Sequence, residues 1–138
     1  MPKQISAGLV YTDGRSLLLG HTTRQAHWDL PKGKPESDET LIDACVRETR
    51  EETGMELDPR ALQYLGHFKY NRHKNLELFL LRGECPDLSK LRCTTLVSGR
   101  TYPEMDQFAW VPVKDLESYV VPNMRRVLWE VFDVLERM

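Results

Sequence analysis

Residues 33–55 read GKPESDETLIDACVRETREETGM, and the second half of that stretch decides how the rest is read. Glu48, Glu51 and Glu52 are spaced i, i+3 and i+4. At about 100° per residue this puts three carboxylates within roughly a 100° arc of one helix face. They fall in the last turns before Gly54, a residue suited to the left-handed position that closes a helix. The negative end of the helix dipole lies there, and like charges at these spacings repel by about a few tenths of a kcal/mol each. Arg47 offsets only part of that repulsion. A local rule broken this openly points to a functional site. The simplest compensation is a hard divalent cation, since Mg²⁺ takes oxygen ligands and favours a few carboxylates together with substrate phosphates. A solvated charged face is the competing reading of RETREE taken alone.

The longer pattern favours the first reading. It runs Gly33, five residues, Glu39, seven residues, Arg47-Glu48, two residues, Glu51-Glu52, one residue, Gly54, then apolar Met55. At background usage of roughly 5–7% per residue type, seven such positions coincide about once in 10⁸ to 10⁹ starts. This resembles the Nudix box, the signature of hydrolases that cleave a nucleoside diphosphate linked to another group. Two positions depart from the family pattern. Thr49 stands where an aliphatic residue is usual, and Asp38 where many members have glycine.

The 138 residues are expected to form one domain with a substantial core. Apolar content of 41% with 29% charged residues is that of an ordinary globular chain. A net charge of −2 argues against bulk electrostatic capture of nucleic acid, though a local basic pocket is compatible with it. Cys45, Cys85 and Cys93 lack metal-type spacing and cannot all pair internally, and the four histidines show no zinc pattern. MPKQISAGLVY has no export-signal architecture and no apolar run approaches a membrane span, so a reduced, cytoplasmic setting is expected. No pattern specifies an oligomeric state.

Ile5–Thr12 reads as a buried strand and Ser16–His21 as its partner across the Asp13-Gly14 turn. After TTRQAH comes Trp28-Asp29-Leu30-Pro31-Lys32-Gly33, where Pro31 stiffens the chain and Gly33 permits close backbone approach. Asp38 is the expected N-cap of a helix running to about Thr53, with Ile42, Cys45, Val46 and Thr49 as its buried stripe and Leu41 and Ala44 bordering the acid. Two strands follow, at residues 62–70 and 75–81, joined by the basic turn Asn71-Arg72-His73-Lys74. The second alternates poorly, which predicts burial on both faces. Residues 83–99 are the least readable stretch, with Cys85-Pro86-Asp87-Leu88 and Thr94-Thr95 loop-like and without an assigned role. Gln107–Val111 reads as a strand, and Pro122 opens a helix whose apolar stripe (Met124, Val127, Leu128, Val131, Leu135, Met138) docks on the core. This order suggests an α+β fold. The Nudix resemblance sharpens it to an α/β/α sandwich around a mixed sheet, with the box as a loop–helix.

The resemblance also implies roles. Glu48 and Glu52 would be the principal ligands of Mg²⁺, for which Mn²⁺ is a possible substitute. Glu51 would serve a further metal or take a proton from water, and the Gly33 carbonyl would complete the coordination. Arg47 would orient the box carboxylates within the catalytic set, and Glu39 would bond within the loop–helix junction. Glu104 lies where several members supply a further glutamate to metal or water; Asp106 is its competitor, and a solvated loop is the alternative for both. WDLPKGK is similar to the corresponding stretch of diadenosine tetraphosphate hydrolases and bacterial RNA pyrophosphohydrolases. Lys32, Lys34, Arg72 and Lys74 are candidate phosphate contacts and Trp28 and Tyr70 candidate base-stacking residues, against solvated-turn and core readings respectively. The implied enzyme is a Mg²⁺-dependent pyrophosphohydrolase of a nucleoside polyphosphate, first a dinucleoside polyphosphate. The alternatives are a 5′-triphosphorylated RNA end, a nucleoside triphosphate, or, in another class, a nucleotide-sensing module without catalysis.

Overall fold

The structure is a computed structural model that describes residues 2–138. Seven strands form one mixed sheet: β1 (Gln4–Thr12), β2 (Ser16–Thr22), β3 (Trp28–Asp29), β4 (Lys32–Gly33), β5 (Gln63–Lys69), β6 (Lys74–Arg82) and β7 (Met105–Pro112). Helix α1 (Leu41–Thr53) covers one face and α2 (Pro122–Glu136) the other. This is the mixed sheet flanked by helices that the box implied.

Alternation along the strands assigns the faces. Ala7, Leu9 and Phe79 pack with Ala44 and Cys45 of α1. Val10, Leu76, Leu78 and Leu80 pack with Met124, Val127, Leu128 and Val131 of α2. β6 therefore buries both faces, which is why its apolar residues run together instead of alternating. It pairs in parallel with β1 from Gln4 opposite Lys74 to Thr12 opposite Arg82.

The feature that makes room for a site is a split in the sheet. β1 and β2 meet at Thr12 and Leu17, where Gly14 takes a φ of 97° and the Asp13 carboxylate accepts the Arg15 and Ser16 N–H groups. Beyond that turn the two strands diverge. β4 adds to the free edge of β1, with Gly33 opposite Ala7, and β3 adds to β2, which also pairs with β7 along its whole length. A cleft opens between the two halves at the end of the sheet where β1 begins and β2 ends.

Two expectations about α1 need correction. Its N-cap is Thr40, whose side chain accepts the Asp43 N–H; Asp38 instead takes a left-handed φ of 68° in the preceding loop. The buried stripe is rotated toward the acid: Ala44, Cys45, Thr49, Glu52 and Thr53 are buried, whereas Ile42 and Val46 are only partly so. The loop before the helix and β4 lie over the side that sequence alone leaves open. Gly54 closes α1 as expected, with a φ of 82° and its N–H on the Arg50 carbonyl.

Thr49 carries a cost of its departure from the aliphatic pattern. Its hydroxyl is buried without a sound hydrogen bond among the described residues, and the Cys45 thiol one turn earlier is at most a weak partner. Thr49→Val is expected to raise stability by about 1 kcal/mol, read as a shift of the urea midpoint at constant slope.

Residues 92–104 form an arm docked on the last turn of α1. Arg92 N–H donates to the Thr53 carbonyl at 2.9 Å, and Thr94 N–H and hydroxyl donate to that of Glu51 at 2.6 and 3.1 Å. These carbonyls are helix-end acceptors with no partner inside the helix. The arm folds back at a bridge between Leu96 and Pro103 and returns to β7.

Candidate active site

Arg47 is the organising cation of the acidic cluster. Its guanidinium grips Glu39 with two bonds, Nε to Oε2 at 2.9 Å and Nη2 to Oε1 at 3.0 Å. Nη1 reaches Glu48 at 2.9 Å and Glu51 at 3.1 Å, and Nη2 also donates to the Lys34 carbonyl at 3.0 Å. A planar fork with five donors satisfies this set of acceptors; a lysine ammonium would not. Glu39 in turn accepts the Glu36 N–H, so the loop and the helix are clamped as one unit.

Glu48 lies directly against the backbone of Gly33. A Cβ added at Gly33 would sit 2.1 Å from the Glu48 carboxyl carbon, so no other residue leaves the carboxylate where it is. Glu52 is buried, 4% exposed, and takes the Lys32 N–H at 2.9 Å. Burial, then the Glu48 and Glu104 charges, push its carboxyl up to about 9 against the pull of Lys32. Burial likewise raises Glu48, with Glu51 and Glu104 adding to it against Arg47. Glu104 is raised by burial and by Glu51. The four glutamates thus lie within electrostatic reach of one another although Glu104 is far away in sequence.

Glu104 is held from both sides by its backbone. Its N–H donates to the Thr95 carbonyl at 2.9 Å and its carbonyl accepts the Thr23 N–H at 3.1 Å. Together with Glu52, Lys32, Asp29, Thr22 and Val97 it lines a cavity of about 210 Å³ in the cleft. Asp106, its competitor, is turned away and paired with His21 Nδ1 at 2.6 Å.

This donor set fits a divalent cation. The carboxylates repel one another, one of them is buried, and Glu48 packs on the Gly33 backbone. Among the described residues no three acidic, histidine or cysteine side chains are gathered round one point, and Glu48 and Glu51 each give an oxygen to Arg47. Glu48, Glu51, Glu52 and Glu104 are the residues that would hold it.

The cations lie on the β1 side of the cleft. Lys32 Nζ is 3.0 Å from Asp29, whose charge keeps it protonated despite burial. Burial, then the nearby Lys32 and Lys34 charges, lower the Lys74 ammonium against the pull of Asp29. Lys74 also lies 5.8 Å from the centre of the Tyr70 ring. Arg72 is not brought to them; it lies with Pro2, Lys3, Gln4 and His73 along a separate groove. Trp28 makes edge contacts with His21 and Tyr119 and packs on the core.

Comparison with known proteins agrees with this geometry. The family model for the NUDIX domain matches residues 2–132. The chain is 35% identical over 145 residues to an uncharacterized 17.7 kDa protein of Enterobacteria phage T4, covering 94% of this chain and 96% of that one. It is 30% identical over 155 residues to an RNA pyrophosphohydrolase of Marinomonas sp., covering 96% and 92%. The fold is shared with an Ap4A hydrolase of C. elegans (TM-score 0.67, 20% identity, covering 98% of this chain and 99% of that one). It is shared equally with a MutT NUDIX hydrolase of Burkholderia pseudomallei (TM-score 0.70, 19% identity, covering 94% and 98%). With a family model spanning nearly all of the chain and relatives that match along their own whole length, the protein belongs to the Nudix family, hydrolases acting on pyrophosphate bonds.

Proposed function

We propose that this protein is a Mg²⁺-dependent pyrophosphohydrolase of nucleoside polyphosphates, with a dinucleoside polyphosphate as its first substrate. The observation that carries the reading is the meeting of acid and base in one cavity. Glu52 and Glu104 line it together with Lys32, Glu48 and Glu51 follow on the same helix face as Glu52, and the Lys34 and Lys74 charges lie near Lys32. A phosphate chain carrying a metal ion relieves both repulsions at once. Mn²⁺ is the expected substitute for Mg²⁺ at an oxygen-rich site.

The residues divide the work as follows. Lys32, Lys34 and Lys74 bind and orient the phosphate chain. Glu48, Glu51 and Glu52, with Glu104 beside them, would hold the cation, which when bound would supply charge neutralisation at the phosphoryl oxygens and acidify water. Arg47 fixes Glu48 and Glu51 in place. Glu104, which lines the cavity from the end of the arm before β7, accepts the proton as water attacks phosphorus and the bond to the leaving phosphate breaks. Glu104→Gln is expected to lower kcat by about 10²–10³-fold with Tm nearly unchanged. Undiminished turnover in that variant removes Glu104 from the chemistry.

A 5′-triphosphorylated RNA end is the second reading, favoured by the 30% identity to RNA pyrophosphohydrolases of Marinomonas sp. and Brucella anthropi. Product analysis with Mg²⁺ on diadenosine tetraphosphate, deoxynucleoside triphosphates, ADP-ribose and 5′-triphosphorylated RNA decides between them. Fastest cleavage of the first supports the proposal, and fastest cleavage of the RNA replaces it. Binding without cleavage of any of the four would favour a nucleotide sensor, against which stands the retention of Glu48, Glu51 and Glu52.

A further inference from the structure

The two halves of the split sheet each end in a cation resting on a tyrosine. On the β1–β6 half, Lys74 lies over Tyr70. On the β2–β7 half, the Arg24 guanidinium carbon lies 4.0 Å from the centre of the Tyr102 ring. The lysine pair adjoins the phosphate-facing ammonium groups already described. No role in the chemistry above uses the arginine pair.

Three features set that second pair apart from a plain surface contact. Arg24 has a left-handed φ of 64°, a conformation that costs a non-glycine residue roughly 1 kcal/mol and that the turn from β2 to β3 imposes. It is exposed, and among the described residues no carboxylate lies within ion-pairing distance of it, so its charge is not consumed by the fold. Its backbone neighbour Thr23 donates to the Glu104 carbonyl, and Tyr102 stands two residues before Glu104. Arg24 and Tyr102 are thereby placed two residues from Thr22 and Glu104 respectively, which line the cleft cavity, with the exposed guanidinium over the ring.

We propose that Arg24 and Tyr102 form the platform for the second nucleoside of a dinucleoside polyphosphate, on the bank of the cleft opposite Tyr70 and Lys74. This rests on the polyphosphate reading of the cleft and extends it to the far end of the substrate. A base stacks on a guanidinium plane that is itself held flat by an aromatic ring, and the positive charge favours the adjoining phosphate. A chain with a nucleoside at only one end leaves this platform empty. The pair therefore decides between substrates with one nucleoside and substrates with two.

The test compares binding of diadenosine tetraphosphate with that of adenosine 5′-tetraphosphate by calorimetry, with Ca²⁺ in place of Mg²⁺ to slow turnover. The wild-type protein is expected to prefer the dinucleotide about tenfold, the lower end of what one stacked base contributes. Arg24→Gln and Tyr102→Leu are expected to abolish the preference, whereas Tyr102→Phe keeps the ring and most of it. Equal affinities in the wild-type protein, or a preference that survives Arg24→Gln and Tyr102→Leu, would overturn the platform and leave the polyphosphate reading standing. Equal weakening of both ligands would show that the pair only staples the arm, which also overturns it. If the wild-type protein binds neither ligand, the polyphosphate reading fails and the platform falls with it.

Discussion

Replacing Glu52 by glutamine is expected to lower kcat/KM by about 10³-fold while making the metal-free protein more stable above neutral pH. The two effects share one cause. Glu52 is 4% exposed and lies beside Glu48 and Glu104, so its carboxyl is pushed up to about 9. Between the ordinary glutamate value and about 9 the folded protein binds a proton that the unfolded chain has released. Stability of the metal-free protein therefore falls as pH rises through that window. Glutamine keeps the shape and an acceptor for the Lys32 N–H but has no charge to bury. The variant should melt roughly 5 °C above wild type at pH 8, and the two should converge near pH 4. Mg²⁺ should raise the wild-type Tm and leave that of the variant almost unmoved, since only a species that binds the native state shifts the midpoint. Thermal melts at several pH values, with and without metal, read all of this. A variant less stable than wild type at pH 8 would show that Glu52 is a structural carboxylate.

The second large effect is expected from Arg47→Ala. Arg47 is mostly buried, and it pairs with Glu39 and Glu48, which are comparably buried at 15% and 13% side-chain exposure. Removing the guanidinium strands both carboxylates, a loss of about 3–5 kcal/mol for a buried pair broken on one side. Glu51 adds little because a third of its side chain is exposed. For a chain of this size the loss corresponds to a Tm lower by roughly 10 °C. Arg47→Lys should recover only part, because an ammonium cannot reproduce the two-bond grip on Glu39. The sign with pH is again fixed by the carboxylates. The Arg47 hydrogen bonds hold the Glu39 carboxyl below its ordinary value, so this contribution is present above the ordinary glutamate value and is lost as pH falls through the folded one. The gap between wild type and Arg47→Ala should narrow in acid. A gap that stays constant down to pH 3 would mean that packing of the arginine stem, not its charge, carries the effect.

How much of this was legible from the sequence differs by element. The acidic helix face was legible because a broken electrostatic rule repeats at helical spacing, and the box around it has fixed positions. The cap was misplaced because Asp38 and Thr40 are both good capping residues two positions apart. What decides between them is the left-handed turn at Asp38 and the attachment of Glu39 to Arg47, which no local propensity encodes. The burial of Glu52 was missed for a related reason: it follows from β4 lying over the helix, a tertiary arrangement of two short strands. Strands β1, β2, β5, β6 and β7 followed from apolar runs and turn residues. The arm at 92–104 was unreadable because backbone bonds to the carbonyls of Glu51 and Thr53 hold it, and side-chain pattern leaves no trace of such bonds. Arg24 carried no signal at all. Its place depends on a two-residue strand pairing and on Tyr102, far along the chain.

On the function proposed above, the box carboxylates hold a divalent cation against a phosphate chain. Mn²⁺ titration followed by the electron paramagnetic resonance signal of the free ion tests it most directly, on wild-type protein and Glu52→Gln, with and without diadenosine tetraphosphate. Wild-type protein is expected to remove free Mn²⁺ from solution, more strongly with the dinucleotide present, and Glu52→Gln to lose most of this capacity. Equal Mn²⁺ binding by both proteins under both conditions would contradict it.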